Sequence, residues 1–380
     1  MVGMTAASDS KIIVALSGGV DSAVAALRLL RAGYDVQGLH MTNWEDDDGY
    51  CDAARDYQDT RLVCEDLGIP LHHVNFAREY QSQVFAHFLT EYQAGRTPNP
   101  DVLCNREIKF GVLLDYARRL GGAFLATGHY ARVEHAAKVK LLKGADQNKD
   151  QSYFLHAVPQ KALACALLPL GAMQKDEVRR LANEAGLSVH DKPDSTGICF
   201  IGERPFREFL SRFLPENPGT AETPDGTVVG THLGLMYYTL GQRQGLGIGG
   251  RAGGGSEPWF VAGKDTSRNV LTVVQGRDHP LLWSEGLLAA DLHWISGAPE
   301  ALQNNGKLRC TVKTRYRQND VGCQVRGADQ GHLQVWFDTP QWAVTPGQYA
   351  VFYAGDECLG GGPIDQVIRN SLAQTALSMA

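Results

Sequence analysis

Two sets of residues could carry chemistry. The first is Ser17-Gly18-Gly19-Val20-Asp21-Ser22, which follows the apolar run Ile12–Leu16 and opens a helix-like segment, Ala23–Arg31. Glycines let the backbone approach an anion closely, and first-turn N–H groups of a helix lack an intrahelical acceptor. Strand, glycine-hydroxyl turn and helix together predict a phosphate cradle. Ser17 and Ser22 add hydroxyl donors. Asp21 would repel a phosphate, so it reads as a helix-start cap or as a group that reaches Mg2+ held by the phosphates. No lysine follows the glycines, so this is not a Walker loop.

The second set is a pair of cysteines, Cys104 and Cys199. Cys104 follows Thr97-Pro98-Asn99-Pro100-Asp101. The two prolines predict an extended loop ahead of a helix starting near Ile108. A thiol near that helix start has its thiolate favoured by the dipole, and Asp101 could take a proton from a reacting group. Cys199 lies in a second loop, between Gly197 and Gly202. Cys51, Cys64, Cys165, Cys310, Cys323 and Cys358 read as small buried hydrophobes. There is no CxxC spacing and no metal-ligand set.

Elements must position these residues. The strand-like runs Ile12–Leu16, Val36–His40, Leu71–Asn75 and Phe124–Thr127 alternate with the helix-like segments Ala23–Arg31, Ala53–Leu67, Tyr80–Ala94 and Ile108–Leu120. This predicts an α/β unit with a doubly wound parallel sheet, whose ligands bind beyond the carboxyl ends of the strands. Ser17–Ser22, Met41 and Gly128 stand at such ends. Gln174–Ala185 and Pro205–Leu214 read as further helices, and His190–Glu203 as a loop. Gly241–Gly255 is glycine-rich and reads as mobile, Gly241–Gly250 within it as a linker. Cys310–Arg315, Val321–Arg326, Leu333–Phe337, Tyr349–Tyr353 and Glu357–Gly361 predict a small β-barrel. The expected units are a tail at 1–10, a catalytic domain at 11–204, a mostly β central domain at 205–285, a β-barrel at 286–368 and a tail at 369–380.

The 380 residues exceed one ordinary core, and 43% hydrophobic with 21% charged residues fit a globular protein. Met1–Ser10 read as a frayed tail and not a signal peptide, and no run reaches membrane-spanning length. A cytoplasmic, reducing location is expected for the eight cysteines. The net charge of -6 argues against a basic surface overall, yet Lys307, Arg309, Lys313, Arg315, Arg317 and Arg326 form a local basic track. Alternate residues Lys313, Arg315 and Arg317 would share a strand face and track phosphates, or guard a solvated edge.

The Ser17–Ser22 loop resembles that of the PP-loop N-type ATP pyrophosphatases. The chain as a whole resembles the tRNA-specific 2-thiouridylases. The resemblance rests on Gly38–Trp44, Gly95–Asp101, Cys104-Asn105, Thr127–Tyr130, Asn148–Leu155, Asp194–Gly202, Leu240–Arg243, Gly245–Gly250, Lys313–Gln318 and Ala343–Gln348. It runs from Ser17 to Gly362. Thr42 departs from the family pattern, which has lysine there.

The resemblance implies ATP-dependent 2-thiolation of the tRNA wobble uridine, giving AMP and pyrophosphate. Ala15, Leu16, Ser17, Gly18, Gly19, Val20, Asp21 and Ser22, with Met41 and Gly128, would bind ATP, with Mg2+ near Asp21. Asn99, Pro100 and Asp101 would meet the flipped base, Asp101 as a candidate acid or base. Cys199 would receive persulfide sulfur from a relay protein or a cysteine desulfurase. Cys104 would be the second thiol, forming a transient disulfide with Cys199. Lys149, Asp150, Gln151, Gln242, Arg243, Arg315 and Tyr316 would touch tRNA, with lysine, glutamate and glutamine acceptors expected. Either the persulfide attacks the adenylated base directly, or Cys104 first releases sulfide. Both routes need the thiols within disulfide reach, so one loop would move. Lys149-Asp150-Gln151 also reads as a simple helix start. Two rival classes are an ammonia-using PP-loop ligase, which leaves both cysteines idle, and a tRNA-binding module with a decayed nucleotide site.

Overall fold

The strand Lys11–Ala15 sends its side chains into two cores. Ile13 joins one apolar cluster and Ile12 and Val14 join the other, all fully buried. Apolar residues on both faces are what a central parallel strand requires. The computed structural model describes residues 10–44, 53–194, 200–202, 204–248, 257–328 and 331–369. Cys199 with Ser195–Ile198, Glu203, Cys51, the 249–256 part of the glycine-rich stretch and nearly all of both expected tails lie outside the described residues.

Five parallel strands run in the order Leu71–Asn75, Asp35–Thr42, Lys11–Ala15, Phe124–Ala126, Ala166–Leu167. The fifth has two residues, too short to show a period. Helices Val20–Arg31, Ala53–Leu67 and Lys175–Glu184 contribute to the Ile12 side, and the helical stretch Pro100–Arg119 to the Ile13 side. Connections leave Lys11–Ala15 and Phe124–Ala126 in opposite directions across the sheet. The crevice at their carboxyl ends is the ligand position of such a fold.

The helix expected from Ile108 begins at Pro100 instead. Asn99 caps it, its side chain accepting from the Asp101 N–H at 3.2 Å. Proline at the first helical position gives up only an N–H that had no acceptor, and asparagine is a favoured cap. Cys104 therefore sits inside the helix, past the first turn, where the dipole has faded. From Cys104 to Leu113 the helix is π-wound, with a break in regular geometry at Gly111.

Beyond this unit, Trp259–Asp265, Val270–Gln275, Gly219–Glu222 and Val228–His232 form a four-stranded sheet. Six strands then close a barrel: Trp283–Ala289, Leu333–Trp342, Val321–Gly327, Lys307–Lys313, Tyr349–Ala354 and Glu357–Ile368, the last pairing back to the first. Closure removes free edges. The closing strand starts at Trp283, ahead of the expected barrel start at 286. A hairpin of the first unit, Ala131–Glu134 with Lys140–Lys143, adds to the barrel strand through Leu141 opposite Cys358 and Leu142 opposite Glu357. Among the described residues no helix is long and apolar enough to cross a membrane.

A second latch joins the units. The fully buried Tyr153 donates its hydroxyl to the Tyr349 carbonyl at 3.1 Å and accepts the Tyr349 N–H at 3.3 Å. Tyr153→Phe leaves both backbone groups buried without that partner, so urea unfolding should show a loss of about 1–2 kcal/mol. Unchanged stability would show that this contact does not hold the barrel to the first unit.

Candidate functional site

The Ser17–Ser22 turn is built by local hydrogen bonds. The Ser17 N–H donates to Ser22 Oγ at 3.2 Å, and the Ser22 hydroxyl donates to the Gly19 carbonyl at 3.0 Å. Gly18 has φ +74°, and a Cβ there would stand 2.5 Å from the Asp56 carbonyl oxygen. Only glycine fits. Gly19 is the N-cap of the Val20–Arg31 helix, with no side-chain cap. Gly128 lies so close that an added Cβ would come within 2.8 Å of the Ser22 nitrogen. Upstream, buried His40 makes a 3.0 Å contact from Nδ1 to the Leu16 carbonyl and one of 3.1 Å to Thr60 Oγ1. Burial holds its pKa below the ordinary value, the Leu16 contact opposing. Neutral His40 thus props the strand end that enters the cradle.

The cap alternative for Asp21 is not what forms. Its carboxylate accepts from Tyr130 OH at 2.7 Å and from Lys175 Nζ at 2.7 and 2.8 Å. Lys175 is nearly buried and also pairs with Asp194 at 2.7 Å. Lys192 reaches the cradle as well, donating to the Gly18 carbonyl at 3.1 Å and pairing with Asp56 at 2.9 Å and with Asp59. Two lysines from distant segments therefore stand at the turn, each paired with two carboxylates. Sequence reasoning missed both lysines, because no local spacing links them to the loop. A magnesium ion reaching Asp21 would share that carboxylate with Lys175 and Tyr130.

Asp194 accepts from three cations: Lys149 at 2.6 Å, Lys175 at 2.7 Å and Arg179 at 2.9 Å. Desolvation opposes its charge, but the hydrogen bonds from Lys149 and Lys175 prevail and hold its pKa at about 2. Asp194 directly precedes Ser195–Cys199. On the far side, Phe200 is fully buried in one apolar cluster with Cys104, Trp44, Phe85 and Phe209. Arg204 clips this turn, donating to the carbonyls of Phe200 and Ile201, both at 2.9 Å. The described residues on either side of Ser195–Cys199 are thus both held, Asp194 through Lys175 to Asp21 of the Ser17–Ser22 turn and Phe200 in the Cys104 cluster.

Cys104 itself is 2% exposed. Asp101, one helical turn away, has its carboxyl raised above the usual range by burial, with Lys109 opposing. A raised carboxyl suits proton transfer nearer neutral pH. Met41 is partly buried against both this cluster and the sheet core.

The expected RNA-contacting residues are largely engaged inside the protein. Lys149 is held by Asp194. Buried Asp150 accepts from the Gly144 and Ser152 N–H groups and pairs with Lys313 at 3.3 Å. Gln151 accepts the Tyr130 N–H at 2.9 Å. Arg315 donates to the carbonyls of Ala343 and Leu240 and to Thr345 Oγ1, bracing the barrel against the central unit. Lys313 and Arg315 do not present their charges on one open strand face, because the strand ends at Lys313 and that lysine is buried. Tyr316 stacks obliquely on Phe154, ring centres 4.4 Å apart. Gln242 bonds the Thr239 N–H and the Gln244 carbonyl, while Arg243 is exposed. Among the described residues no three metal-ligating side chains converge.

Three domain models match in succession: the tRNA methyl transferase HUP domain over residues 10–203, the tRNA methyl transferase PRC-barrel domain over 207–275 and the aminomethyltransferase beta-barrel domain over 284–364. Curated relatives match nearly end to end. The tRNA-specific 2-thiouridylase MnmA of Methylococcus capsulatus is 59% identical over 357 residues, 93% of this chain and 96% of that protein. Its namesake in Marinobacter nauticus is 56% identical, covering 97% and 94%. That of Vibrio parahaemolyticus is 56% identical, covering 96% and 99%.

The Asp194 node has a pH signature. Its folded pKa of about 2 lies below an unfolded value of about 3.9. Its contribution is therefore complete above about pH 4 and lost as pH falls toward 2. Melting temperatures measured across this range should fall less steeply for Asp194→Asn than for wild type. Parallel curves would show that the node contributes no charge-dependent stability.

Proposed function

This chain belongs to the tRNA-specific 2-thiouridylase family, and from that membership we propose an ATP-dependent 2-thiolation of the tRNA wobble uridine, with the roles below. The observation that carries it is the double tether of the Cys199 segment, Asp194 at the phosphate cradle and Phe200 in the Cys104 cluster. A methyl transfer would need neither the phosphate cradle nor a second cysteine.

ATP enters with Mg2+, its phosphates on Ala15–Ser22 and its nucleoside against Met41 and Gly128. The cradle amides, Lys175 and Lys192 offset phosphate charge. The flipped base meets Asn99, Pro100 and Asp101. Its O2 attacks the α-phosphorus, and pyrophosphate leaves. O2 is now part of an AMP leaving group. The terminal sulfur of a Cys199 persulfide attacks C2, and AMP departs. Cys104 thiolate then attacks the Cys199 sulfur, breaking the S–S bond to the new thiocarbonyl and forming a Cys104–Cys199 disulfide. Alternatively Cys104 attacks first, and the released hydrosulfide attacks C2. Either way a two-electron thiol reductant reopens the disulfide. Cys104 is buried, so the cluster around it must open for this step.

The persulfide donor is a sulfur-relay carrier or a cysteine desulfurase. The substrates are lysine, glutamate and glutamine tRNAs, and the setting is the cytoplasm. The working units are 11–204, 205–285 and 286–368.

Unmodified lysine tRNA incubated with the protein, Mg-ATP and a persulfide donor should give a band retarded on a mercury gel. Cys199→Ser should remove the band and Cys104→Ser should reduce it at least about 100-fold. Both should keep tRNA-dependent pyrophosphate release. A retarded band from Cys199→Ser would refute the assignment of sulfur to that residue.

A further inference from the structure

A cavity of about 370 Å3 opens where the three units meet. Its walls come from the Gly95–Thr97 loop, the central sheet around Lys264 and the barrel at Pro346 and Arg369. Four cations line it, Arg96, Lys264, Arg268 and Arg369. Two are matched by acids. Arg96 pairs through two nitrogens with Glu91, and Asp365 acts on it at longer range. Arg268 pairs with Glu222 at 2.9 Å and Asp265 at 3.9 Å, the two acids of this wall. Asp265 also accepts the Ser267 and Arg268 N–H groups.

Among the described residues Lys264 and Arg369 have no such match. Lys264 Nζ donates to the Gly95 carbonyl at 2.9 Å, and no described carboxylate pairs with it. Arg369 donates to the Ala262 carbonyl at 3.0 Å, and its Nε is buried with no hydrogen-bond partner. Desolvation pushes the Lys264 ammonium down to about 8 and lowers Arg369 as well. Cations that lose water without gaining a counter-charge are costly to the fold.

We infer that Lys264 and Arg369 form a subsite for a phosphate group. An oxyanion there supplies the counter-charge to both and an acceptor for Arg369 Nε. The phosphate is one of the RNA backbone or a free inorganic anion. The cavity wall at Thr97 runs directly into Asn99-Pro100-Asp101. An RNA phosphate seated here would flank the proposed base site, and this source rests on the proposed tRNA substrate.

The test uses the full chain with Lys264→Gln, which keeps a donor for the Gly95 carbonyl, and with Arg369→Gln. Each variant should melt at or above the wild-type temperature without ligand, since an unmatched cation is gone. Each should bind unmodified lysine tRNA roughly 3–10-fold more weakly at moderate salt. The slope of log K against log salt should fall by about one per variant, and Lys264→Arg should restore it. If the slopes are unchanged but inorganic phosphate raises the melting temperature of wild type and not of the variants, the subsite serves a free anion and the inference stands. Equal slopes together with equal phosphate-dependent melting would overturn it. Failure of wild type to bind tRNA would count against the RNA substrate alone, and the phosphate melting comparison would then decide the subsite.

Discussion

The site depends on one ionic junction, Lys175 held between Asp21 and Asp194. Asp21 stands in the first turn of the cradle helix, and Asp194 is the last described residue before the Cys199 segment. A nearly buried ammonium between two carboxylates has a strong preference for one geometry, because losing either partner leaves a desolvated charge. Lys149 and Arg179 steady Asp194 from the other side. In the proposed reaction, phosphates on the Ser17–Ser22 turn would add negative charge beside Lys175, so that nucleotide would act on Asp194 through this junction.

The fold encloses Cys104. Cys104 lies inside a helix within an aromatic cluster, protected from solvent until that cluster opens. Phe200 inserts into the same cluster and thereby fixes one end of the Cys199 segment against it. A persulfide is valuable and easily lost to water or to other thiols. In the proposed reaction, burial of Cys104 among Trp44, Phe85 and Phe200 would keep it from reacting before substrate arrives. The hairpin at Ala131–Lys143, the Tyr153 latch and the Arg315 brace bind the barrel and central unit to this arrangement. The barrel is also tied to the Gly95–Asp101 loop, whose Thr97 bonds both Pro346 and Gln348.

Much of this was legible locally. Gly18, Ser22 and the strand–turn–helix order mark the tight turn, and four of the five parallel strands read as strand-like runs. What escaped is non-local. Lys175 is 154 positions from Asp21, and nothing in its helix marks it as a partner of that turn. The Ala131–Lys143 hairpin finds its partner strand more than 200 residues later, and its four-residue strands are too short to signal themselves. The Pro100 helix start was present as an asparagine cap followed by proline, but two prolines favoured the extended reading. Lys313 and Arg315 looked available because charge in a sequence carries no record of its partners. Asp150 and three backbone or hydroxyl oxygens had already taken them.

In the proposed reaction ATP activates the very oxygen that sulfur replaces. It is tested most directly with tRNA carrying 18O at the wobble uridine O2, turned over once with a persulfide donor and Mg-ATP. Mass spectrometry of the released AMP should find one 18O per thiolated uridine. Unlabelled AMP with thiolated product would contradict adenylation of the base and require another route for the oxygen.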